Sequence, residues 1–391
     1  MIVVGMISGT SMDGLDVAAA RFAGAESGAL TMEPLAARTW EWPSSLRSRL
    51  LALLPPAGTT VAEVAQLDEL VGRECGRAAA SLIASIGDAD LVVSHGQTVF
   101  HWVSPAGRAE GTLQLGQPAP IVQATGLPVV SDVRARDIAA GGQGAPLAGT
   151  LDMLWLRGLG GGAALNLGGI ANVTVVTPSG SAVAFDTGPA SCLIDAAVTR
   201  ITGGRSSYDV DGRLAADGSV RADLLDLMLA EPYYALAPPK STGRELFTLP
   251  YVDRFVAQVR PVSDADLVAT LTELTARTVA DSLDLQPNSR LVVSGGGVHN
   301  PVLMARLRAL LPDVEVGPSD AYGLSADDKE AYLMALVGYL TWHQVPGVLP
   351  GMTGADRPRV LGRVSLGDKP VRLPEPGVEP RILTVVPGSA G

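Results

Sequence analysis

Three glycine-centred clusters hold residue types that can bind phosphate or move a proton. The first, Ile7-Ser8-Gly9-Thr10-Ser11-Met12-Asp13-Gly14-Leu15-Asp16, offers the backbone N–H groups of Gly9, Thr10 and Ser11, hydroxyl donors beside them, and Asp13 or Asp16 to stand near a metal. Gly, Ser and Asp are also ordinary turn residues, so this turn alone reads equally well as structure. In the second, Phe185-Asp186-Thr187-Gly188-Pro189, a carboxylate at a strand end projects into the crevice its sheet faces. The alternative is a helix N-cap, because a turn and a helix follow. The third, Ser294-Gly295-Gly296-Gly297, lets a ligand approach the main chain closely, or serves a tight strand-to-helix turn.

Each cluster needs strands to carry it. Residues 2–5 and 15–22 read as two strands flanking the first turn, a hairpin pattern. Leu67, Leu70, Val71, Cys75, Ala78 and Leu82 share one helical face and predict a helix from Leu67. It leads to a buried strand, Leu91-Val92-Val93, that ends in Ser94-His95-Gly96-Gln97. A strand over 127–130 ends in Ser131-Asp132 and enters the Gly-rich stretch 139–147, where the first domain boundary is expected. The second half repeats the theme, with strands over 163–167, 173–176 and 182–185 around a Gly168-Gly169 turn, then a helix over 193–198. A helix over 264–283, a strand Leu291-Val292-Val293, and two helices carrying Leu303 to Leu311 and Leu333 to Leu340 complete the pattern. The Pro-rich tail after Gly362 is expected to be loosely ordered. Alternating strands and helices predict an α/β protein. The recurring hairpin predicts two related lobes around a cleft, residues 1–138 completed by 346–391, and residues 139–345.

Composition narrows the function classes. The 391 residues carry 29 Lys+Arg against 40 Asp+Glu, a net charge of −11, with 47% apolar and only 18% charged residues. That is neither a disordered chain nor a polyanion binder, although a phosphate site built from backbone N–H groups needs no basic side chains. No G-x-x-x-x-G-K-[ST] or G-x-S-x-G motif occurs, and Gly158-Leu159-Gly160-Gly161-Gly162-Ala163 precedes a strand instead of joining a strand to a helix. His95, His101, His299 and His343 lack metal-ligand spacing. Cys75 lies on an apolar helical stripe and Cys192 has no neighbour that would lower its pKa, so both read as structural. With no basic segment before an apolar run at the amino terminus and no long apolar stretch, the expectation is a soluble, cytoplasmic protein that binds neither nucleic acid nor membrane.

Taken in order, the three clusters resemble the phosphate-1, phosphate-2 and adenosine elements of the superfamily of sugar kinases, actin and heat-shock chaperone ATPases. Within it the chain is similar to the anhydro-N-acetylmuramic acid kinase family. Further matching stretches are Ser94-His95-Gly96-Gln97-Thr98-Val99, Asp132-Val133-Arg134 with Asp137, Gly141-Gly142-Gln143-Gly144-Ala145-Pro146-Leu147, Asn166-Leu167-Gly168-Gly169-Ile170-Ala171-Asn172, Pro238-Pro239-Lys240-Ser241-Thr242-Gly243-Arg244-Glu245 and Lys329-Glu330-Ala331. Two departures stand out: Ala190-Ser191 where the family usually has Gly-Asn, which puts an amide contact in question, and the Pro-rich tail, which has no counterpart in the pattern.

The resemblance implies a two-lobed actin-like, ribonuclease H-like ATPase fold with a central cleft. It implies ATP-dependent conversion of 1,6-anhydro-N-acetylmuramic acid to N-acetylmuramic acid 6-phosphate, with ATP and Mg²⁺ required and a homodimer allowed. By family position Asp186 is the general base. The nucleotide would be held by Gly9, Thr10, Ser11, Met12, Asp13, Gly14, Leu15 and Asp16, with Gly168, Gly169, Thr187, Gly188, Gly295, Gly296 and Gly297. Asp13 is the candidate Mg²⁺ ligand. His95, Arg134 and Glu330 would hold the sugar and its lactyl carboxylate, against a satisfied buried histidine and ordinary ion pairs. Lys240 is either a further site residue or a solvated turn lysine. The alternatives are a superfamily kinase acting on an ordinary sugar hydroxyl and a nucleotide-regulated binding protein.

Overall fold

In the computed structural model the described residues are 1–387, apart from 10–11, 25–26, 55–56, 106, 239, 244–245 and 349. Among them thirteen strands form two sheets: β1 (Ile2–Ser8), β2 (Gly14–Ala23), β3 (Ala29–Glu41), β4 (Leu91–Val103), β5 (Ala109–Leu115), β6 (Val129–Ser131), β7 (Gly162–Leu167), β8 (Ile170–Val176), β9 (Ala182–Pro189), β10 (Arg290–Ser294), β11 (Glu315–Pro318), β12 (Arg363–Ser365) and β13 (Ile382–Val385). The chain divides into two units, residues 1–158 with 328–391, and residues 159–327.

The same topology appears in each unit. The first has the order β12-β6-β4-β1-β2-β3-β13, with β5 on β4, and the second has β11-β10-β7-β8-β9. In both, the first three strands are antiparallel, and a fourth and fifth add in parallel on the other side of the first. Tight turns can join only the antiparallel strands; the parallel fourth strand needs a crossover. The helix Val61–Ile86 supplies it before β4, and the helix Asp264–Asp281 before β10. This is the ribonuclease H-like order of the α/β fold expected from the sequence, present twice.

Alternation along β1 separates the faces of the first sheet. Val4 and Met6 join the core under the helix Val61–Ile86, with Leu67, Val71, Cys75, Ala78 and Leu82. That helix begins before Leu67, because Thr60 caps it by accepting from Glu63 N at 3.1 Å. Gly5 faces the helix Lys329–Trp342, so closely that a Cβ there would stand 2.2 Å from Ala331 O. Gly338 returns the fit, since its Cβ would meet a Val93 methyl at 2.1 Å.

These contacts correct three expectations. The unit boundaries fall at 158/159 and 327/328 instead of 138/139 and 345/346. The helix Ala148–Gly158 packs on β13, with no room for a Cβ at Gly158 against Leu383 O, and the helix Lys329–Trp342 packs on β1, β2 and β4. The tail is built into the sheet: β12 pairs antiparallel with β6, and β13 parallel with β3. Among the described residues no helix is long and apolar enough to cross a membrane.

Candidate active site

In the first unit the predicted phosphate turn closes the β1–β2 hairpin, and three other elements hold it. Ser8 Oγ lies 2.7 Å from Gly14 O and 2.6 Å from Gln97 Oε1, sharing its proton between two acceptors, while Trp42 Nε1 donates to Ser8 Oγ at 3.3 Å. Gln97, fully buried on β4, donates through Nε2 to Gly9 O at 3.3 Å. Arg47 donates to Met12 O (2.9 Å) and to Asp13 Oδ1 (2.6 Å). Met12 takes a left-handed φ of +53°, a strained conformation for a side chain this large, with its thioether buried. Met12 and Leu15 both sit in the core, which leaves only their main chain to face a ligand. Asp16 faces Ile7 across the hairpin and accepts from Thr39 Oγ1 at 2.8 Å. Thr10 and Ser11 lie outside the described residues.

His95 and Arg134 are brought together, though 39 residues apart: Arg134 Nε donates to His95 Nε2 at 2.7 Å. His95 Nδ1 lies 3.0 Å from Gly96 O, which can only accept, so the proton sits on Nδ1 and the ring is neutral. Burial, then the Arg134 charge, pushes the His95 pKa down to about 3. Arg134 also donates to Gly144 O at 2.6 Å. Burial lowers the pKa of its guanidinium, opposed by the charges of Glu330 and Asp137, which places Glu330 in the same electrostatic neighbourhood. Asp137, fully buried, fixes the glycine loop by accepting from Gly144 N (2.8 Å) and Thr353 Oγ1 (2.7 Å). Beside Glu330, Lys329 is buried against Asp152 at 3.0 Å.

In the second unit, Asp186, the Gly168-Gly169 turn and the Gly295–Gly297 loop gather at the carboxyl ends of the parallel strands β7 and β10, where open α/β sheets bind ligands. Asp186 sits on β9 opposite Asn172, whose Nδ2 donates to Oδ1 at 2.9 Å; Thr242 N donates to Oδ2 at 3.0 Å. Its main chain is held as well, by Lys240 O accepting from Asp186 N (2.9 Å) and the Tyr233 hydroxyl donating to Asp186 O (2.7 Å). Asp186 is therefore no helix cap: it is a mid-strand residue held by hydrogen bonds on both its carboxylate and its main chain. Thr187 is buried, its hydroxyl 3.4 Å from Ala171 O, and Gly188 leaves no room for a Cβ beside Tyr234.

In strand order, the counterpart of the first unit's phosphate turn is the Gly168-Gly169 turn. The carbonyls of Gly168 and Gly169 accept from the amides of Ser191 (3.0 Å), and of Ala190 (3.0 Å) and Cys192 (3.1 Å), at the start of the helix Cys192–Ile201. These are main-chain bonds, so Ala190-Ser191 makes them as any residues would. Gly295 and Gly297 pack on the end of β7, with a Cβ on either meeting Asn166 or Leu167 within 2.6 Å, whereas Gly296 faces open space.

Sequence reasoning missed four positioning residues. Gln97, Asn172 and Thr242 lie inside stretches already singled out, the first two as polar residues beside buried strands; Arg47 carried no local signal. Among the described residues no group of three or more His, Cys, Asp or Glu could cage a metal. Asp13 does not fit a dedicated ligand, being exposed and paired with Arg47.

A family model described as anhydro-N-acetylmuramic acid kinase (AnmK) matches residues 1–366. The anhydro-N-acetylmuramic acid kinase of Streptomyces coelicolor is 51% identical over 392 residues, covering 99% of this chain and 100% of that protein. That similarity runs into the Pro-rich tail, for which the family pattern offered no counterpart. The anhydro-N-acetylmuramic acid kinase of Rhodococcus erythropolis is 48% identical over 94% of this chain and 95% of its own. Among solved structures, the (R)-2-hydroxyglutaryl-CoA dehydratase component A of Acidaminococcus fermentans has 12% identity and a TM-score of 0.42, over 87% of this chain and 98% of that one.

Proposed function

The chain belongs to the anhydro-N-acetylmuramic acid kinase family, and on that premise we propose that Asp186 is the general base of its reaction. The protein is an ATP-dependent kinase of an anhydro amino sugar, a step of peptidoglycan recycling. In that reaction water adds to the anomeric carbon as the bond to the bridging oxygen breaks. The freed O6 then takes the γ-phosphoryl group, and ADP leaves. Water is a poor nucleophile until a base takes its proton, and the base must be ionised and aimed.

The observation that carries the assignment is the pair of N–H donors on Asp186, Asn172 on one oxygen and Thr242 on the other. Both favour the carboxylate over the acid and fix its plane. Arg134, held at Nε and Nη1 by His95 and Gly144, presents its remaining N–H groups in a fixed fork that suits the lactyl carboxylate. A neutral His95 supports that fork without competing for the anion. Glu330 would accept from sugar hydroxyls. The β1–β2 turn and the Gly168-Gly169 turn would bind the triphosphate through main-chain N–H groups. Mg²⁺ would arrive on the triphosphate, neutralising its charge with few protein carboxylates, and no assignment above depends on it. The need for ATP and two buried, unbridged cysteines fit the cytoplasm.

The test is ADP release from the anhydro sugar, coupled to a dehydrogenase, for wild type and Asp186→Asn. Loss of the base should slow turnover by roughly two to four orders of magnitude while ATP still binds. Near-normal turnover would defeat the assignment. In H₂¹⁸O the label should enter the anomeric hydroxyl; its absence there would point to transfer onto an ordinary hydroxyl.

A further inference from the structure

We propose that Lys240 is a positioning residue, whose ammonium group pins residues 240–243 beside β9 so that the Thr242 amide meets the Asp186 carboxylate. The proposal rests on the reading of Asp186 as the base.

Lys240 belongs to no helix or strand, yet its head group is fully engaged. Nζ donates to Tyr234 O at 3.0 Å and Tyr233 O at 3.3 Å, and stands 4.8 Å from the centre of the Tyr233 ring. An ammonium group has three N–H bonds; two carbonyls and an aromatic face use its whole directional capacity. Burial lowers the pKa of Lys240, as expected for an ammonium drawn away from water.

The acceptors belong to the short 3-10 turn Pro232–Ala235, whose Tyr233 hydroxyl holds the Asp186 carbonyl. The segment beyond Lys240 returns to β9 through two bonds, Asp186 N to Lys240 O and Thr242 N to Asp186 Oδ2. A closed circuit therefore joins Lys240, the tyrosine turn, the Asp186 main chain and the Asp186 carboxylate. The turn sets the titratable Tyr233 against Asp186, while β8 presents the neutral Asn172. A lysine serving phosphate would direct its ammonium to the ligand; this one directs it to main-chain acceptors behind the base.

The experiment compares Lys240→Met, Lys240→Arg, Thr242→Pro and Thr242→Ala with wild type, reading kcat, KM for ATP and the acid limb of the kcat–pH profile. Lys240→Met should lower kcat about tenfold and leave KM for ATP within about twofold, because a hydrogen bond to a charged group is lost at the base and none at the nucleotide. Its acid limb should move to higher pH, since a carboxylate that loses a donor holds its proton more tightly. Lys240→Arg should recover most of the rate. Thr242→Pro deletes the N–H and should reproduce the shift, whereas Thr242→Ala keeps the N–H and should leave the limb in place. A Lys240→Met enzyme with a raised KM for ATP and an unmoved limb, or an unmoved limb in Thr242→Pro, overturns the proposal. If Lys240→Met does not fold, the Thr242 pair decides. An active Asp186→Asn would instead defeat the base assignment itself; an inactive one beside unmoved limbs defeats only the role of Lys240.

Discussion

Replacing Lys329 by Met would keep the aliphatic stem but leave the Asp152 carboxylate without the ammonium it faces at 3.0 Å. The Lys329 and Asp152 side chains are 4% and 2% exposed, so water cannot take over the lost charge. Breaking such a buried pair from one side costs about 3–5 kcal/mol, whereas an exposed pair is worth under about 1 kcal/mol. Arg73–Glu69, 58% and 44% exposed, supplies the internal control through Arg73→Met. For a unit of this size the Lys329→Met loss corresponds to a fall in Tm of roughly 6–20 °C. All five tryptophans, Trp40, Trp42, Trp102, Trp155 and Trp342, lie in residues 1–158 and 328–391, so selectively excited tryptophan fluorescence reports on that unit. Adding Asp152→Asn removes the buried charge that Lys329 had faced, and the double variant should melt well above the sum of the two single losses. A Lys329→Met shift no larger than that of Arg73→Met, or strictly additive single effects, would refute the reasoning.

Two further outcomes follow from buried titratable groups. The His95 pKa, about 3 when folded, lies below the unfolded value of about 6.5, so the unfolded chain binds the proton first as pH falls. The stability from a neutral His95 is therefore complete above about pH 6.5 and declines through the window down to about 3. His95→Gln should flatten urea midpoints measured across the upper part of that window; parallel curves for wild type and variant would contradict it. Burial pushes the Cys75 thiol up to about 12, so an aromatic disulfide reagent at neutral pH should label it only after denaturant unfolds the chain. Labelling of native Cys75 on the timescale of an exposed thiol would count against this.

Local patterns made part of the molecule legible. The first hairpin, the Leu67 helix face and the strands around Gly168-Gly169 follow from alternation, helical spacing and turn residues within short windows. β3 did not, because Ala29–Glu41 has Pro34 inside it and its register with β2 shifts between Ala19 and Ala20. The strands β12 and β13 are three and four residues long, amid prolines, and exist because β6 and β3 offer them edges. The unit boundaries depended on which sheet the flanking helices cover, which no window of sequence contains. Within the site, the meeting of His95 with Arg134 fits residues chosen by resemblance. The grip on Asp186 by Asn172 and Thr242 joins side chain and main chain across 14 and 56 residues and had no local signature.

The helix that covers the outer face of β1 is made long after β1 itself. A ribosome delivers Lys329 only after the whole of residues 159–327 has followed Gly158. At translation speeds of about 5–20 residues per second, that interval is roughly 10–30 s. Throughout it the groove at Gly5 and the apolar surface of Val3 and Val93 lack their cover. The continuous second unit, meanwhile, emerges with every strand of its own sheet. The unit whose first strand is synthesised earliest is thus the last to be completed, and its bare sheet face is the surface that a nascent-chain chaperone would meet.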